Sequence, residues 1–250
     1  MKNLHKAYYK DYFAGADFSF LLKEKKADRV ASPKDIQEIK RRNMALMGAK
    51  LKMIDSNPRT NTQFDLRIAY PGLVTGVGIN HEAKIEGEFK LGVHFDYTYG
   101  MPVVYGSSVK GVLRAYFKEF YAPKNGEPSV DDLFNDIFEG GADKKKPKSI
   151  YDRDIFFDAV LTHGDSQGRI LCSDSITPHG ANPLKNPIPI TFMKIAPGCT
   201  MEFRFKLVDS VINGQTFAKD QKKELFQQIL LTVGVGAKTN VGYGQFENSK

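Results

Sequence analysis

Tryptophan is absent from this chain of 250 residues, and cysteine occurs only twice, at Cys172 and Cys199. Two thiols so far apart make no zinc site by themselves, and two are too few for a disulfide framework. Long apolar runs are missing as well, since nothing approaches the ~18 residues of a membrane-spanning helix. The opening stretch MKNLHKAYYKDYF carries charges throughout, unlike the unbroken apolar segment of a secretory signal. These absences predict a cytoplasmic protein with reduced thiols. A content of 41% apolar and 26% charged residues argues against long disorder, collagen or coiled coil. A chain of this length buries a sizeable core without metal or disulfide staples.

Catalytic groupings are equally scarce. The five histidines, at 5, 81, 94, 163 and 179, show no HExxH spacing, and no GxSxG occurs. Asp152, Asp154 and Asp158 share strand parity, which a Mg2+-dependent nuclease would use. The plainer reading, preferred here, has them as solvent-facing carboxylates, with Asp158 fixing a turn through a backbone amide. His163 in THGD and His179 in TPHG lie in loops, where an RNA contact or a hydrogen bond suits them better than acid-base chemistry without a partner. No cofactor or metal is expected. What the chain has in excess is positive charge: 36 Lys plus Arg against 29 Asp plus Glu give +7. Such a surface attracts polyanions, of which nucleic acid is the commonest.

Periodicity organises the chain. Ser32 and Pro33 start a helix expected to run to about residue 54, bearing Lys40, Arg41, Arg42, Lys50 and Lys52. Phe64, Leu66, Ile68 and Tyr70 alternate with Asp65, Arg67 and Ala69 as a half-buried strand. Phe89, Leu91, Val93 and Phe95 repeat that period after the glycine-bearing loop YPGLVTGVGINHE. The clearest helix spans 108–121, with Ser107 or Ser108 as its cap and an apolar face of Val109, Val112, Leu113, Tyr116, Phe117 and Phe120. An acidic helix at 130–138 precedes the loop GGADKKKPKS. Strands follow at 154–160, 169–173 and 201–208, then a helix at 219–233 and a last strand at 243–247. Strand, helix, strand, strand, helix, strand is the ferredoxin-like plan, an α+β fold with an antiparallel sheet backed by helices.

Two segments combine backbone donors with cations. GSSVKGVLR, Gly106 to Arg114, sits at a strand-to-helix junction, where Ser107, Ser108, Lys110 and Arg114 share the helix start with free amides. Read plainly, it is a capped helix with two solvated bases. GVGAKTNVGYGQF, Gly234 to Phe246, places four glycines around Lys238, Thr239, Asn240 and Tyr243. It fails the Walker A pattern, since Ala237 precedes the lysine, and it fails the dinucleotide fingerprint, since Thr239 stands at the third glycine position. The loop's exposed amides, one cation and one ring suit a sugar-phosphate backbone with a stacked base. Without tryptophan, stacking falls to Tyr, Phe or His, and Tyr243 is the first candidate.

The pairing of these two motifs resembles the RAMP superfamily of CRISPR proteins (Cas7-like). The segments IFFDA at 155–159, ILCSDSITPH at 170–179 and PIPITFMKIAPGCTMEFRF at 187–205 agree with it. Length, the basic amino-terminal part and YPGLVTGVGINHE are most similar to the family of sixth subunits of type III-B, or Cmr, effector complexes. The resemblance implies a modified ferredoxin-like, RRM-like domain over 63–250, with insertions at about 122–150 and 174–198, preceded by a basic, largely helical extension at 1–62. It implies a noncatalytic RNA-binding backbone or capping subunit near the 3′ part of the guide RNA, in antiviral defence. Partners would be CRISPR guide RNA, target RNA, the repeated backbone subunit, the small subunit and the other capping subunit. Carried over by motif position, Gly106, Ser107, Ser108, Lys110, Arg114, Gly236, Lys238, Thr239, Asn240 and Tyr243 would face RNA, with His81 and His179 as further possible contacts. The insertion at 174–198 would project as a thumb. Target cleavage in such complexes belongs to the repeated subunit, whose aspartate has no assignable counterpart here. Two other readings remain: an endoribonuclease that processes guide precursors, and a scaffold without RNA contact.

Overall fold

A computed structural model describes residues 3–15, 18, 21, 23, 30–53, 59–76, 85–90, 92–143, 147–177 and 189–249. His81, His179 and the tip of the 174–198 insertion lie outside the described residues. In chain order the elements begin with α1 (Leu4–Tyr9), α2 (Pro33–Met47), β1 (Thr62–Ile68), β2 (Val103–Val104), α3 (Gly106–Phe120) and α4 (Val130–Phe134), which continues as a π-helical turn. Next come β3 (Ile155–Phe156), β4 (Ala159–His163), β5 (Leu171–Ile176), β6 (Ile190–Ile195) and β7 (Thr200–Lys206). The chain closes with β8 (Ser210–Ile212), β9 (Gln215–Phe217), α5 (Lys219–Val233) and β10 (Phe246–Asn248).

The main sheet is antiparallel in the order β10-β1-β7-β4-β2, with β3 pairing the far end of β7. Counting β1, β4, β7 and β10 as the four core strands, the spatial order is fourth, first, third, second. That is the expected ferredoxin-like α+β arrangement, and β2 extends it at the edge. Along β1, Phe64, Leu66 and Ile68 are buried while Gln63, Asp65 and Arg67 are exposed. The buried face stacks Phe64 on Phe203 and Phe205 and meets Phe226 of α5. On the opposite face the register sets Gln63, Asp65 and Arg67 beside Arg204, Glu202 and Thr200. These two central strands therefore present charges there and no ring.

The structure corrects several expectations. The first long helix ends at Gly48, whose amide closes onto the carbonyls of Met44 and Leu46, so Lys50 and Lys52 lie beyond it. Ser32 starts that helix with a reciprocal capping box to Asp35. Leu91 lies outside the described residues, and among the described residues from Phe89 to Phe95 no strand forms. Those rings are buried, but the backbone there bonds singly to other segments, as in Lys90 N–H to Thr191 and His94 N–H to the Thr75 hydroxyl. Conversely, PITFMKI within the proline-bearing loop supplies β6, which pairs with β5 as a separate two-stranded ribbon. The described parts of the first 62 residues share the core, since Leu4, Tyr8, Tyr12, Ile39 and Leu46 belong to the main buried cluster.

Candidate nucleic-acid interface

Strand register locates the two motifs. The carboxy end of β1 (Ile68) lies beside the start of β10 (Phe246), and the adjacent Arg67 lies beside the start of β7 (Thr200), which pairs with the end of β4 (His163). The glycine loop enters β10 from that end, at the β10 edge. β2 runs antiparallel to β4, with Val104 opposite Ala159, so α3 begins at the other end and on the other edge. Four interstrand steps separate the edges, on the order of 20 Å. The motifs thus occupy diagonally opposite corners of the sheet and do not converge on one phosphate.

At the helix-start corner, the Gly106 amide donates to Asp158 Oδ1 at 2.7 Å. This carboxylate satisfies the first turn and its dipole. The cap position is Tyr105, with no side-chain cap bond, which corrects the expected role of Ser107 or Ser108; both serines are exposed. Only glycine fits at 106, because a Cβ would stand 2.2 Å from the Phe156 carbonyl oxygen. Lys110 is half-buried with its ammonium 5.8 Å from the Phe156 ring. Arg114 pairs with Glu139 at 2.6 Å and lies over the Phe134 ring. Only Ser107, Ser108 and Lys110 remain there without a carboxylate partner among the described residues.

The glycine-loop corner is built from backbone. Gly236 and Gly244 have φ of 102° and 69°, and a Cβ on either would stand 2.4 Å and 2.0 Å from the carbonyl oxygens of Val74 and Val235. Ala237 donates to Val74 and Gly244 to Gly72, so YPGLV and the glycine loop form one layer. Lys238 is left-handed at φ 63° and starts a short 3-10 turn over Thr239–Val241. Lys238 and Thr239 are half-exposed, and Gly236 and Asn240 are exposed. Among the described residues no ion pair engages Lys238.

Tyr243 departs from its expected role. Its ring is 8% exposed, edge-on to Phe192 and beneath the Lys194 ammonium. Its hydroxyl donates to Asp174 Oδ2 at 2.8 Å, the oxygen that also accepts from Lys194. Burial, then the Asp174 bond, push the phenol up to about 12, so it stays a donor. Burial alone would raise Asp174, but the Lys194 and Tyr243 bonds hold it below the usual carboxylate range. Tyr243 therefore fastens the β5–β6 ribbon to the glycine loop and offers no stacking face. The exposed ring beside this loop is Tyr70, which strand parity placed in the core. β1 stops at Ile68, and a turn closed by the Gly72 amide on the Ala69 carbonyl throws Tyr70 outward.

The three aspartates do not converge. Asp154 is buried against Lys222 at 2.7 Å, Asp158 holds Gly106, and Asp152 lies exposed in a short 3-10 turn. Among the described residues no three ligating side chains cluster as a metal site would need. His163 is exposed at the end of β4, within 3.3 Å of the Thr162 hydroxyl.

Comparison with known proteins identifies the family of this fold. The RAMP superfamily model matches residues 65–247. CRISPR system CMR subunit Cmr6 from Saccharolobus solfataricus is 28% identical over 233 residues, covering 87% of this chain and 71% of that protein. A chain of a type III-B Cmr-beta complex bound to cognate target RNA superposes with a TM-score of 0.51 at 22% identity, covering 75% of this chain and 58% of that one. The present chain thus spans less than two thirds of that structure's chain. A crystal structure of Cmr6 from Pyrococcus furiosus aligns at TM-score 0.42 and 18% identity, over 78% of this chain and all of that one, too distant to support any transfer.

Proposed function

Because the chain belongs to the RAMP superfamily, we propose that it is a noncatalytic RNA-binding subunit of a type III-B CRISPR (Cmr) ribonucleoprotein, contacting the 3′ part of the guide and neighbouring subunits in antiviral defence. The observation that carries this reading is the glycine loop. Its exposed Gly236 and Asn240, left-handed Lys238 and half-exposed Thr239 present a cation and polar groups on a layer fixed by backbone bonds, while among the described residues no carboxylate pairs with the lysine. Such a surface follows phosphates without reading base edges, so binding is sequence-tolerant. Ser107, Ser108 and Lys110 form a secondary contact, with Arg114 released from Glu139 only on binding. Kinship with Cmr6 supports guide RNA, target RNA and other Cmr subunits as partners, and the β5–β6 ribbon is the base of the thumb.

The endoribonuclease alternative gains no comparable support. Its described candidate base, His163, shares the glycine loop's end of the sheet but stands on β4, three strands from β10, about 14 Å away. Ultraviolet crosslinking of the full chain to single-stranded RNA, followed by peptide mapping, tests the proposal. Adducts are expected in the layer formed by residues 69–76 and 234–244; RNA adducts confined to segments outside that layer, or none at all, contradict it.

A further inference from the structure

Phosphate contacts leave open what holds the bases. The chain has no tryptophan, β1 and β7 turn only polar side chains to their outer face, and Tyr243 is buried under the β5–β6 ribbon. Beside the same glycine loop stands a ring in the opposite situation. Tyr70 is 86% exposed, more than any other large apolar or aromatic side chain described, although its backbone is held on both sides. The Ala69 amide donates to Gln245 at 3.0 Å, the Gly72 amide to Ala69 at 2.9 Å, and the Gly244 amide to Gly72 at 2.8 Å. The next residue, Pro71, lies against Gly242, whose Cβ would stand 3.5 Å from the proline ring. A rigid turn thus carries a protruding ring with two side-chain torsions, a small ordering cost for a large flat contact. Left in water, so exposed a ring adds nothing to the fold.

We infer that Tyr70 is the base-stacking residue of the glycine loop, taking the face of an unpaired nucleobase whose phosphate lies on Gly236 to Asn240. This rests on the RNA-binding reading above and adds a ligand group to it. Stacking on a tyrosine accepts any base, because each has a π-face, and so matches the sequence tolerance of a backbone-following loop. The phenol hydroxyl plays no part.

The test uses the full chain and two oligoribonucleotides of equal length and charge, one with bases throughout and one with a central abasic tract. Wild type should bind the base-bearing RNA about tenfold more tightly. Tyr70→Ala should abolish that preference while leaving affinity for the abasic RNA unchanged, and Tyr70→Phe should retain it. Tyr97→Ala, which removes another exposed ring in the 95–102 segment at the β2 edge, should change neither. A preference that survives Tyr70→Ala, or is lost in Tyr70→Phe, overturns the stacking assignment while the RNA-binding reading stands. Failure of wild type to bind either RNA overturns both.

Discussion

The two corners of the sheet look alike in sequence, each with glycine, hydroxyls and lysine, yet the fold treats them in opposite ways. At the start of α3 a carboxylate from the protein, Asp158, already occupies the Gly106 amide, and Glu139 holds Arg114. At the glycine loop the interior bonds go to backbone, and Lys238 is left without an acidic partner among the described residues. A helix start satisfies its dipole with any nearby anion, so a cation-rich sequence there does not by itself specify a nucleic-acid phosphate. A loop whose glycines are spent on close backbone approach must keep its cation outside. On the proposed reading the glycine loop is the primary RNA surface and the helix start the secondary one.

That contrast can be broken by substitution. Gly244→Ala, with a Cβ aimed 2.0 Å from the Val235 carbonyl at positive φ, should cost on the order of 3 kcal/mol and melt the loop layer, as read by thermal unfolding. Removing the hydroxyl that anchors the ribbon is milder: Tyr243→Phe should cost about 1–2 kcal/mol, because Asp174 loses one donor to its charged form. The same anchor gives a pH dependence. Asp174 is held below its ordinary value, so its contribution is complete above the unfolded carboxylate value of about 4 and fades as pH falls below that through the folded value. Protection factors of the β5 amides should fall in that acid window in wild type and change little across it in an Asp174→Asn variant. The smallest effect has the other sign. Gly111 lies inside α3 with open space around it, so Gly111→Ala should stabilise by about 1 kcal/mol without changing RNA affinity.

Much of the fold is legible because its periodicity is local. α5 occupies the expected Lys219–Val233 around its buried stripe of Leu225, Phe226, Ile229 and Leu230, and β7 follows the alternation of Met201, Phe203 and Phe205. Two of the misses share a cause, partners distant in sequence. The β6 strand hides behind prolines and exists because β5 pairs with it. Asp158 reaches Gly106 across 52 positions, which no capping rule at Ser107 or Ser108 anticipates. Parity assigned Tyr70 to the core because the alternation runs one step past the true strand end. The signal that could have corrected it is Pro71, since a residue before proline tends to mark a boundary. The last strand, expected at 243–247, is β10 at Phe246–Asn248, which leaves Tyr243 three residues before it, and only the ribbon folded over it explains its burial.

The account is tested most directly by the salt dependence of single-stranded RNA affinity for wild type, Lys238→Ala and Lys110→Ala, with each fold verified intact. Each lost phosphate contact lowers the slope of log affinity against log salt by about 0.7 for single strands. The prediction is a full reduction of about that size for Lys238→Ala and a smaller one for Lys110→Ala. An unchanged slope for Lys238→Ala, or a larger loss at Lys110, would contradict the glycine loop as the primary RNA surface.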